Sequence, residues 1–232
     1  MIDSLIELDK AIFLVFNSHH TLYFDQVMWV ITGKMIWIPL ILSFIYVFFK
    51  QSWKEALLAV LMVALTVLLC DQISSGICKP LFERFRPTHD PEFSQYVTTV
   101  NGYLGGMYGF ISSHAANAFG VAVFTSLLFR KKLFTVSVLI WAMLSCYSRL
   151  YLGVHYPGDI MFGALAGAFS GYVCYKIYQK LHGKILFRCN WGLLLRIPST
   201  RKLVHGATTL HRQERCSGLL TSTDTARLHT IL

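Results

Sequence analysis

The chain has 232 residues, of which 54% are hydrophobic and only 14% are charged. A soluble domain usually carries about 25% charged residues, so this composition argues against a water-soluble globule and favours a membrane-embedded chain. In a soluble protein, the formal net charge of +9 would suggest nucleic-acid binding. We expect no nucleic-acid partner here, because the cations lie mainly between apolar segments and in a basic C-terminal region.

The N-terminal segment, residues 1–24, combines acidic residues with Leu5, Leu8, Ile12 and Phe13. This pattern predicts a short amphipathic helix that lies on the outer membrane surface. Five apolar segments follow, and each predicts a membrane helix: 26–49, 56–78, 115–129, 133–148 and 160–175. Their apolar residues occur on all faces, which leaves too little polar surface to enclose a soluble core. The sequence therefore predicts an all-α, polytopic membrane helix bundle with about five spans, or six if the N-terminal helix also crosses.

Three glycines in the last segment, Gly163, Gly167 and Gly171, follow one another at intervals of four residues. On a helix this spacing places them on one face, where the missing side chains allow another helix to approach closely. We expect this face to pack against a neighbouring span.

The distribution of cations predicts the orientation of the bundle, because Lys and Arg in short loops mark the cytoplasmic side. If the first span enters from outside, 15 of the 21 Lys and Arg residues are cytoplasmic. The loops after the second and fourth spans then face the exterior. They hold Lys79, Arg84, Arg86 and Arg149 against the charge rule, so these four cations need another explanation.

The first of these loops opens with the sequence KPLFERFRP, residues 79–87. Lys79, Arg84 and Arg86 place three cations within eight residues, which is typical of an anion-binding segment. The alternative is that they pair with acidic neighbours in a solvated loop. Those neighbours are Glu83, Asp90 and Glu92.

The second polar segment reads YGFISSHAAN, residues 108–117, and ends where an apolar helix begins. Ser112 or Ser113 is a good N-cap residue. The free amides and the dipole at such a helix start could hold an anion. His114 follows directly and would meet the same anion, although a lone histidine is more often an ordinary interfacial residue.

The third polar segment reads SRLYLGVHYPGD, residues 148–159. Pro157 suits the first position of the last span, so His155 lies just before the helix and Asp159 is its third residue. If the Asp159 carboxylate bonds Nδ1 of His155, the other ring nitrogen becomes a free nucleophile. The alternative is that Asp159 only caps the helix.

Topology places the three segments on one membrane face. No metal site is predicted, because the histidines and carboxylates do not fall at chelating spacings and the cations would repel a metal. A phosphate group fits this basic pocket better.

The three segments resemble the three motifs of the type 2 phosphatidic acid phosphatase (PAP2) superfamily. The first matches from Lys79 to Arg86 and Pro87, and the third matches from Ser148 and Arg149 through His155 to Asp159. The second departs from the family pattern Pro-Ser-Gly-His at two positions, where Ile111 replaces Pro and Ser113 replaces Gly.

The resemblance implies roles for these residues. His155 would attack phosphorus and form a phosphohistidine, Asp159 would orient it, and His114 would protonate the leaving oxygen and then activate water. The phosphoryl oxygens would be bound by cations, hydroxyl groups and an amide. These groups belong to Lys79, Arg86, Ser112, Ser113 and Arg149. The family requires no metal or other cofactor.

The resemblance to bacterial members implies a lipid phosphate substrate at the outer face of the cytoplasmic (inner) membrane, which in some bacteria faces the periplasm. The leading substrates are lipid A phosphates and undecaprenyl diphosphate, with phosphatidic acid and phosphatidylglycerol phosphate as alternatives. The loop from Thr88 to Met107 holds Tyr96 and Tyr103 and is expected to select the headgroup. From another class, a transporter of anionic lipids would use Asp71 and the cationic vestibule, but it leaves His155 without a role.

We expect the phosphatase domain to span residues 25–182. Residues 183–232 are rich in Ser, Thr, Arg and His and show no sustained periodicity. This composition predicts a basic, disordered cytoplasmic tail.

Overall fold

The computed structural model describes residues 2–33, 37, 41, 45 and 53–194. Its regular secondary structure in these ranges is helical, and they contain no β-strand beyond an isolated bridge between Phe85 and Tyr108. The helices are α1 (Ile2–Asn17), α2 (Leu22–Thr32), α3 (Trp53–Asp71), α4 (Lys79–Phe82), α5 (Ser113–Phe129), α6 (Lys132–Tyr151) and α7 (Pro157–Leu194). Short 3₁₀ turns lie at Pro87–His89 and Ser94–Tyr96.

Within the described ranges, three helices are long and apolar enough to cross a membrane: Trp53–Phe82, Lys132–Tyr151 and Pro157–Gly183. The apolar helix α5 is somewhat shorter. The first of the three consists of α3, a π-helical stretch at Gln72–Cys78, and α4. The prediction of an all-α membrane bundle is therefore confirmed. The first predicted span, 26–49, includes the second half of α2, and most of its remainder lies outside the described residues.

Helix α5 is central in the bundle and packs against α3, α6 and α7. Its contact with α7 uses the three glycines spaced four residues apart. A Cβ atom on Gly163 would meet the backbone of Ser112, and one on Gly167 or Gly171 would meet a carbonyl of α5. The glycines thus let the two helices touch through their backbones, as the sequence predicted.

Helix α1 is amphipathic, and one of its faces is docked on the protein. Phe13 is fully buried and packs edge-on against Phe93 and Tyr156, with ring centroids 5.7 and 5.6 Å away. Asn17 is also buried, and its side chain exchanges hydrogen bonds with the backbone of Thr98 at 3.0 and 2.8 Å. Leu5, on another face, is 61% exposed. These anchors hold α1 against the loop between α4 and α5.

One compact unit, Met1–Cys189, contains every predicted site residue. Helix α7 continues through Leu194, beyond the predicted end of the domain at His182. The rest of the predicted disordered tail, residues 195–232, lies outside the described part of the chain.

Candidate active site

The three polar segments meet at one end of the bundle. The backbone amide of Ser112 donates to the carbonyl of Asp159 at 3.0 Å, which joins the second segment to the third. The amide of Gly109 donates to the carbonyl of Arg84 at 2.8 Å, and that of Arg86 donates to the carbonyl of Met107 at 3.0 Å. These bonds tie the first segment to the second, so the structure assembles one pocket from residues that are far apart in the chain.

His155 and Asp159 are almost completely buried at the start of α7. Nδ1 of His155 lies 3.5 Å from Oδ2 of Asp159, and the backbone amide of Tyr156 donates to the same oxygen at 3.0 Å. Asp159 is the third residue of α7, so it caps the helix and approaches the histidine at once. Asp159 therefore caps α7, while Nδ1 of His155 lies close to its carboxylate without a hydrogen-bond partner among the described residues.

The pKa of His155 lies well below its ordinary value. Burial is the main cause, and the positive charges of Arg86, Arg149 and Lys79 add to it, while a backbone hydrogen bond at Gly109 opposes them. The imidazole is therefore neutral in the free site, which keeps a ring lone pair available for attack on an electrophile.

Arg86 and Arg149 are buried, with exposed fractions of 8% and 2%, and neither forms an ion pair with a carboxylate of the described residues. Nε of Arg86 donates to the carbonyl of Tyr108 at 3.1 Å, but its Nη1 has no hydrogen-bond partner in the same part of the chain. Burial and the neighbouring charge of Arg149 lower the pKa of Arg86. Buried guanidinium groups without counter-ions favour the binding of an anion.

Arg149 is held by neutral groups. Its Nη1 donates to Oγ1 of Thr32 at 2.6 Å, and its Nη2 lies 3.5 Å from the hydroxyl of Tyr103. The guanidinium also lies over the Tyr103 ring, 5.6 Å from its centroid. Neutral partners position the group and leave its charge uncompensated.

Lys79 and the two serines of the second segment show how the departure from the family pattern is accommodated. Nζ of Lys79 donates to Oγ of Ser75 and of Ser113, both at 3.0 Å. Ser74 also donates to Oγ of Ser113, at 2.8 Å. Oγ of Ser112 instead accepts from the amide of Ala115 at 3.4 Å and caps α5. The hydroxyl of Ser113 is therefore the one that lies beside the cation.

His114 is exposed in the first turn of α5. It interacts electrostatically with Arg149, His155, Arg86 and Lys79, so it belongs to the same pocket. It also lines a small cavity of about 40 Å³. The other lining residues are Trp37, Asn117, Ala118, Trp141 and Ser145.

Arg84 differs from both sequence interpretations of its segment. It neither faces the phosphate pocket nor pairs with Glu83, Asp90 or Glu92. Its Nη1 lies 2.9 Å from Oδ1 of Asp159, and its Nη2 lies 2.6 Å from Oδ2 of Asp9 in α1. Sequence reasoning missed this pairing, because no local pattern links α1 to the first segment.

Ser74 and Ser75 are further neighbours of the site that sequence reasoning missed. Both lie in the π-helical stretch, where the amide of Lys79 donates to the carbonyl of Ser74. Such π-helical turns are frequent at functional sites, but the sequence carries no signal that distinguishes them from an α-helix. Among the described residues, no group of three or more His, Cys, Asp or Glu side chains could hold a metal ion.

Comparison with known proteins agrees with the resemblance to the PAP2 superfamily that the sequence motifs indicate. The model of the PAP2 superfamily matches residues 55–182. The chain is 42% identical to the lipid A 4'-phosphatase of Bacteroides thetaiotaomicron over 188 residues, covering 80% of this chain and 83% of the relative. It is also 42% identical to the lipid A 4'-phosphatase of Porphyromonas gingivalis over 175 residues, covering 75% and 74%.

Two solved structures share the fold. The crystal structure of Aquifex aeolicus LpxE superposes with a TM-score of 0.54 at 22% identity, covering 72% of this chain and 93% of that one. A transmembrane PAP2 type phosphatidylglycerolphosphate phosphatase from Bacillus subtilis gives a TM-score of 0.56 at 24% identity, covering 76% and 87%. The fold, the three assembled motifs and the matched family model lead to one conclusion: the chain belongs to the PAP2 superfamily and is a membrane lipid phosphatase.

Proposed function

We propose that this phosphatase removes the 4'-phosphate of lipid A through a phosphohistidine formed on His155. The names of two relatives, each 42% identical to this chain, support the substrate. The observation that carries the chemistry is the position of His155, which is buried near the charges of Lys79, Arg86 and Arg149, with Oδ2 of Asp159 3.5 Å from its Nδ1. A transporter would have no use for a histidine in this setting.

In the first step, Nε2 of His155 attacks phosphorus and forms the nitrogen–phosphorus bond. The bond between phosphorus and the sugar oxygen breaks, and that oxygen takes a proton from His114 to leave as a hydroxyl group. The carboxylate of Asp159 stabilises the positive charge that develops on the imidazole.

In the second step, His114 takes a proton from water, and the resulting hydroxide attacks the phosphohistidine. The nitrogen–phosphorus bond breaks, inorganic phosphate is released, and His155 returns to its neutral state. The same two histidines are thus ready for the next substrate without any external reagent.

Both steps pass through transition states with negative charge on the phosphoryl oxygens. Lys79, Arg86 and Arg149 supply positive charge, and Ser112 and Ser113 at the start of α5 supply backbone amides and a hydroxyl group. Preorganised donors and cations of this kind lower the barrier, because they need no rearrangement when the charge develops.

The pocket opens at the outer face of the cytoplasmic membrane, on the periplasmic side in bacteria that have an outer membrane. The cations support this orientation, since Arg130 and Lys131 lie between α5 and α6 and Lys132 begins α6, at the opposite end of α5 from Ser112. By the positive-inside rule this basic turn is cytoplasmic. A labelling test uses Tyr96→Cys and Lys131→Cys, each in a protein whose native cysteines have been replaced. In intact cells, only the cysteine at position 96 should react with a membrane-impermeant thiol reagent.

Phosphate release from a panel of purified lipids tests the substrate. The panel contains lipid A, undecaprenyl diphosphate, phosphatidylglycerol phosphate and phosphatidic acid, and mass spectrometry of the lipid A product identifies the phosphate removed. We expect lipid A to be cleaved best, at the 4' position. Faster release from any other lipid would overturn the substrate assignment.

The variant His155→Ala tests the mechanism on the same panel. We expect it to lower phosphate release by at least about 10⁴-fold, as loss of a nucleophile does in other hydrolases, while lipid binding persists. Retention of substantial activity by His155→Ala would exclude the phosphohistidine.

The phosphatase domain spans residues 25–182, and the basic tail takes no part in catalysis. The family match ends at residue 182, which supports this boundary. A chain that ends at Leu194 keeps all of α7 and should retain the wild-type kcat.

A further inference from the structure

Helix α1 reaches the active site through a single carboxylate. Asp9 uses both of its oxygens: Oδ1 accepts from the backbone amide of Gly158 at 2.8 Å, and Oδ2 pairs with Nη2 of Arg84 at 2.6 Å. Gly158 directly precedes Asp159 in the first turn of α7. Asp9 therefore satisfies a free amide at the start of α7 from outside that helix.

Arg84 joins this carboxylate to that of Asp159. Its two terminal nitrogens contact one aspartate each, and its guanidinium lies over the ring of Tyr156, 4.4 Å from the centroid. Burial alone would lower the pKa of Arg84, but the charges of Asp159 and Asp9 raise it above its ordinary value. The side chain is a fixed cationic bridge between α1 and the start of α7.

The bridge acts on the carboxylate that approaches His155. Asp159 is fully buried, and its Oδ1 contacts Arg84 while its Oδ2 faces Nδ1 of His155. If Arg84 paired with Asp159 alone, it would neutralise the charge that His155 needs when its imidazole becomes positive. The guanidinium of Arg84 contacts Asp9 as well as Asp159, so it compensates only part of the charge of Asp159. The two carboxylates and one guanidinium together keep a net negative charge beside His155.

We propose that Asp9 and Arg84 are positioning residues of the phosphatase reaction, which hold Asp159 in place and preserve its negative charge for His155. The amphipathic helix α1 is then a part of the catalytic apparatus as well as a surface element. This inference rests on the proposed role of His155 and Asp159 and adds residues that lie outside the three motifs.

The test compares Asp9→Asn with Lys10→Gln in the full-length protein. Lys10→Gln is the matched control, because it removes an adjacent charge of α1 whose ion-pair partner, Glu7, is exposed. We expect Asp9→Asn to lower kcat by about 10- to 100-fold with KM changed by less than about threefold, since a misplaced catalytic group affects the transition state more than substrate binding. Lys10→Gln should change neither constant by more than about twofold.

A double-mutant cycle separates positioning from general damage. If Asp9 acts through Asp159, the substitution Asp9→Asn should have little further effect in a protein that already carries Asp159→Asn. Losses that multiply in the double variant would show that Asp9 acts independently of Asp159 and would overturn the proposal. Asp9→Glu keeps the charge and should restore more than half of the lost kcat.

If Asp9→Asn does not fold, Arg84→Lys provides the same test, because a lysine keeps the charge but lacks the two-pronged geometry that bridges two carboxylates. The cycle is run on whichever lipid of the panel the wild-type protein cleaves. Failure of lipid A as a substrate therefore leaves this test intact, and activity in His155→Ala would reject the proposed mechanism separately.

Discussion

Arg84 and Arg86 lie two residues apart in one segment, yet their surroundings are opposite. Arg84 contacts two carboxylates at 2.9 and 2.6 Å. Arg86 has no carboxylate partner among the described residues and leaves Nη1 unpaired in the interior. The difference teaches that charge density in a loop does not define an anion site. The cation that lacks a counter-ion in the folded protein is the one suited to bind an anion.

This contrast extends to the two sides of His155. On one side lie Lys79, Arg86 and Arg149, whose charges add to the effect of burial in lowering the pKa of the imidazole. On the other side lies Asp159, which forms an ion pair with Arg84. In the proposed mechanism, a phosphoryl group that enters the first side supplies the missing negative charge, which would couple substrate binding to the activation of His155.

The largest expected effects on catalysis and on stability come from replacing Arg86 and Arg84, one at a time, by glutamine. Arg86→Gln should lower kcat/KM by about 10³-fold, because it removes positive charge from the transition state. Arg84→Gln should lower the free energy of unfolding by about 2 kcal/mol, because it leaves Asp159 and Asp9 without their counter-ion. Arg86→Gln removes a charge that is already uncompensated, so it should destabilise the protein less than Arg84→Gln.

Steady-state kinetics and thermal unfolding in one detergent measure both quantities. The contrast between the two arginines is wrong if Arg86→Gln proves the less stable variant of the pair.

A second prediction concerns the space that Arg86 occupies. Gly105 has φ = +71°, and a Cβ there would lie 2.6 Å from Nη1 of Arg86. Gly102 in the same loop has φ = +67°, but a Cβ there would meet no atom within 4 Å. Both alanine substitutions strain the backbone by about 1–2 kcal/mol, but only Gly105→Ala displaces the arginine.

We expect Gly105→Ala to lower kcat/KM by about tenfold or more, because small displacements of a charged group weaken transition-state binding. Gly102→Ala should stay within about twofold of the wild type and serves as the matched control. Equal losses in the two variants would mean that loop strain, and not the position of Arg86, limits the reaction.

The residues that meet at the site could be predicted from the sequence, because their spacing places them at the ends of the predicted spans. Lys79, Arg86 and Arg149 flank apolar spans, and His155 lies just before the helix that starts at Pro157, four residues ahead of Asp159. Helix ends on one membrane face must lie near each other, so topology brings these segments together. Their roles in catalysis stay predictions.

The partners of these residues could not be predicted, since they depend on tertiary packing. Asp9 is 75 residues from Arg84 in the chain, and its pairing follows from the docking of Phe13 and Asn17. The contact of Ser74 with Ser113 depends on a π-helical register, for which sequence propensities give no signal.

A third prediction concerns the serine that replaces glycine in the second motif. Ser113→Gly restores the family residue but removes the hydroxyl group that accepts from Lys79 at 3.0 Å. A hydrogen bond to a charged group contributes about 1.5–3 kcal/mol, part of which Ser75 retains, so we expect kcat/KM to fall by about three- to tenfold. Ser112→Ala, which removes the cap of α5, should mainly lower the unfolding free energy, by about 1 kcal/mol.

The kinetic constants and melting temperatures of these two variants separate the roles. If Ser113→Gly raises kcat/KM, the serine is an obstacle to phosphate binding, and the hydroxyl cluster with Ser74 and Ser75 only packs the two helices together.

The smallest expected effect concerns Tyr103, whose hydroxyl is the neutral partner of Arg149. Burial would raise the pKa of Tyr103, but its hydrogen bond to Arg149 and the charges of Arg149 and Arg86 lower it below its ordinary value. The hydroxyl group therefore lies within the electrostatic field of both Arg86 and Arg149. Because the contact with Nη2 is long, at 3.5 Å, its loss in Tyr103→Phe should change kcat/KM by only about two- to fivefold.

We expect this change to appear in KM, because the hydroxyl group orients Arg149 before the substrate binds and can be replaced by a phosphoryl oxygen afterwards. Tyr96→Phe is the matched control, since Tyr96 belongs to the same loop and is 62% exposed. A loss of more than about 100-fold in kcat for Tyr103→Phe would instead place the hydroxyl group on the reacting phosphate. In that case Tyr103 would act on the phosphoryl group together with Arg86 and Arg149, and its role would not be limited to holding Arg149 in place.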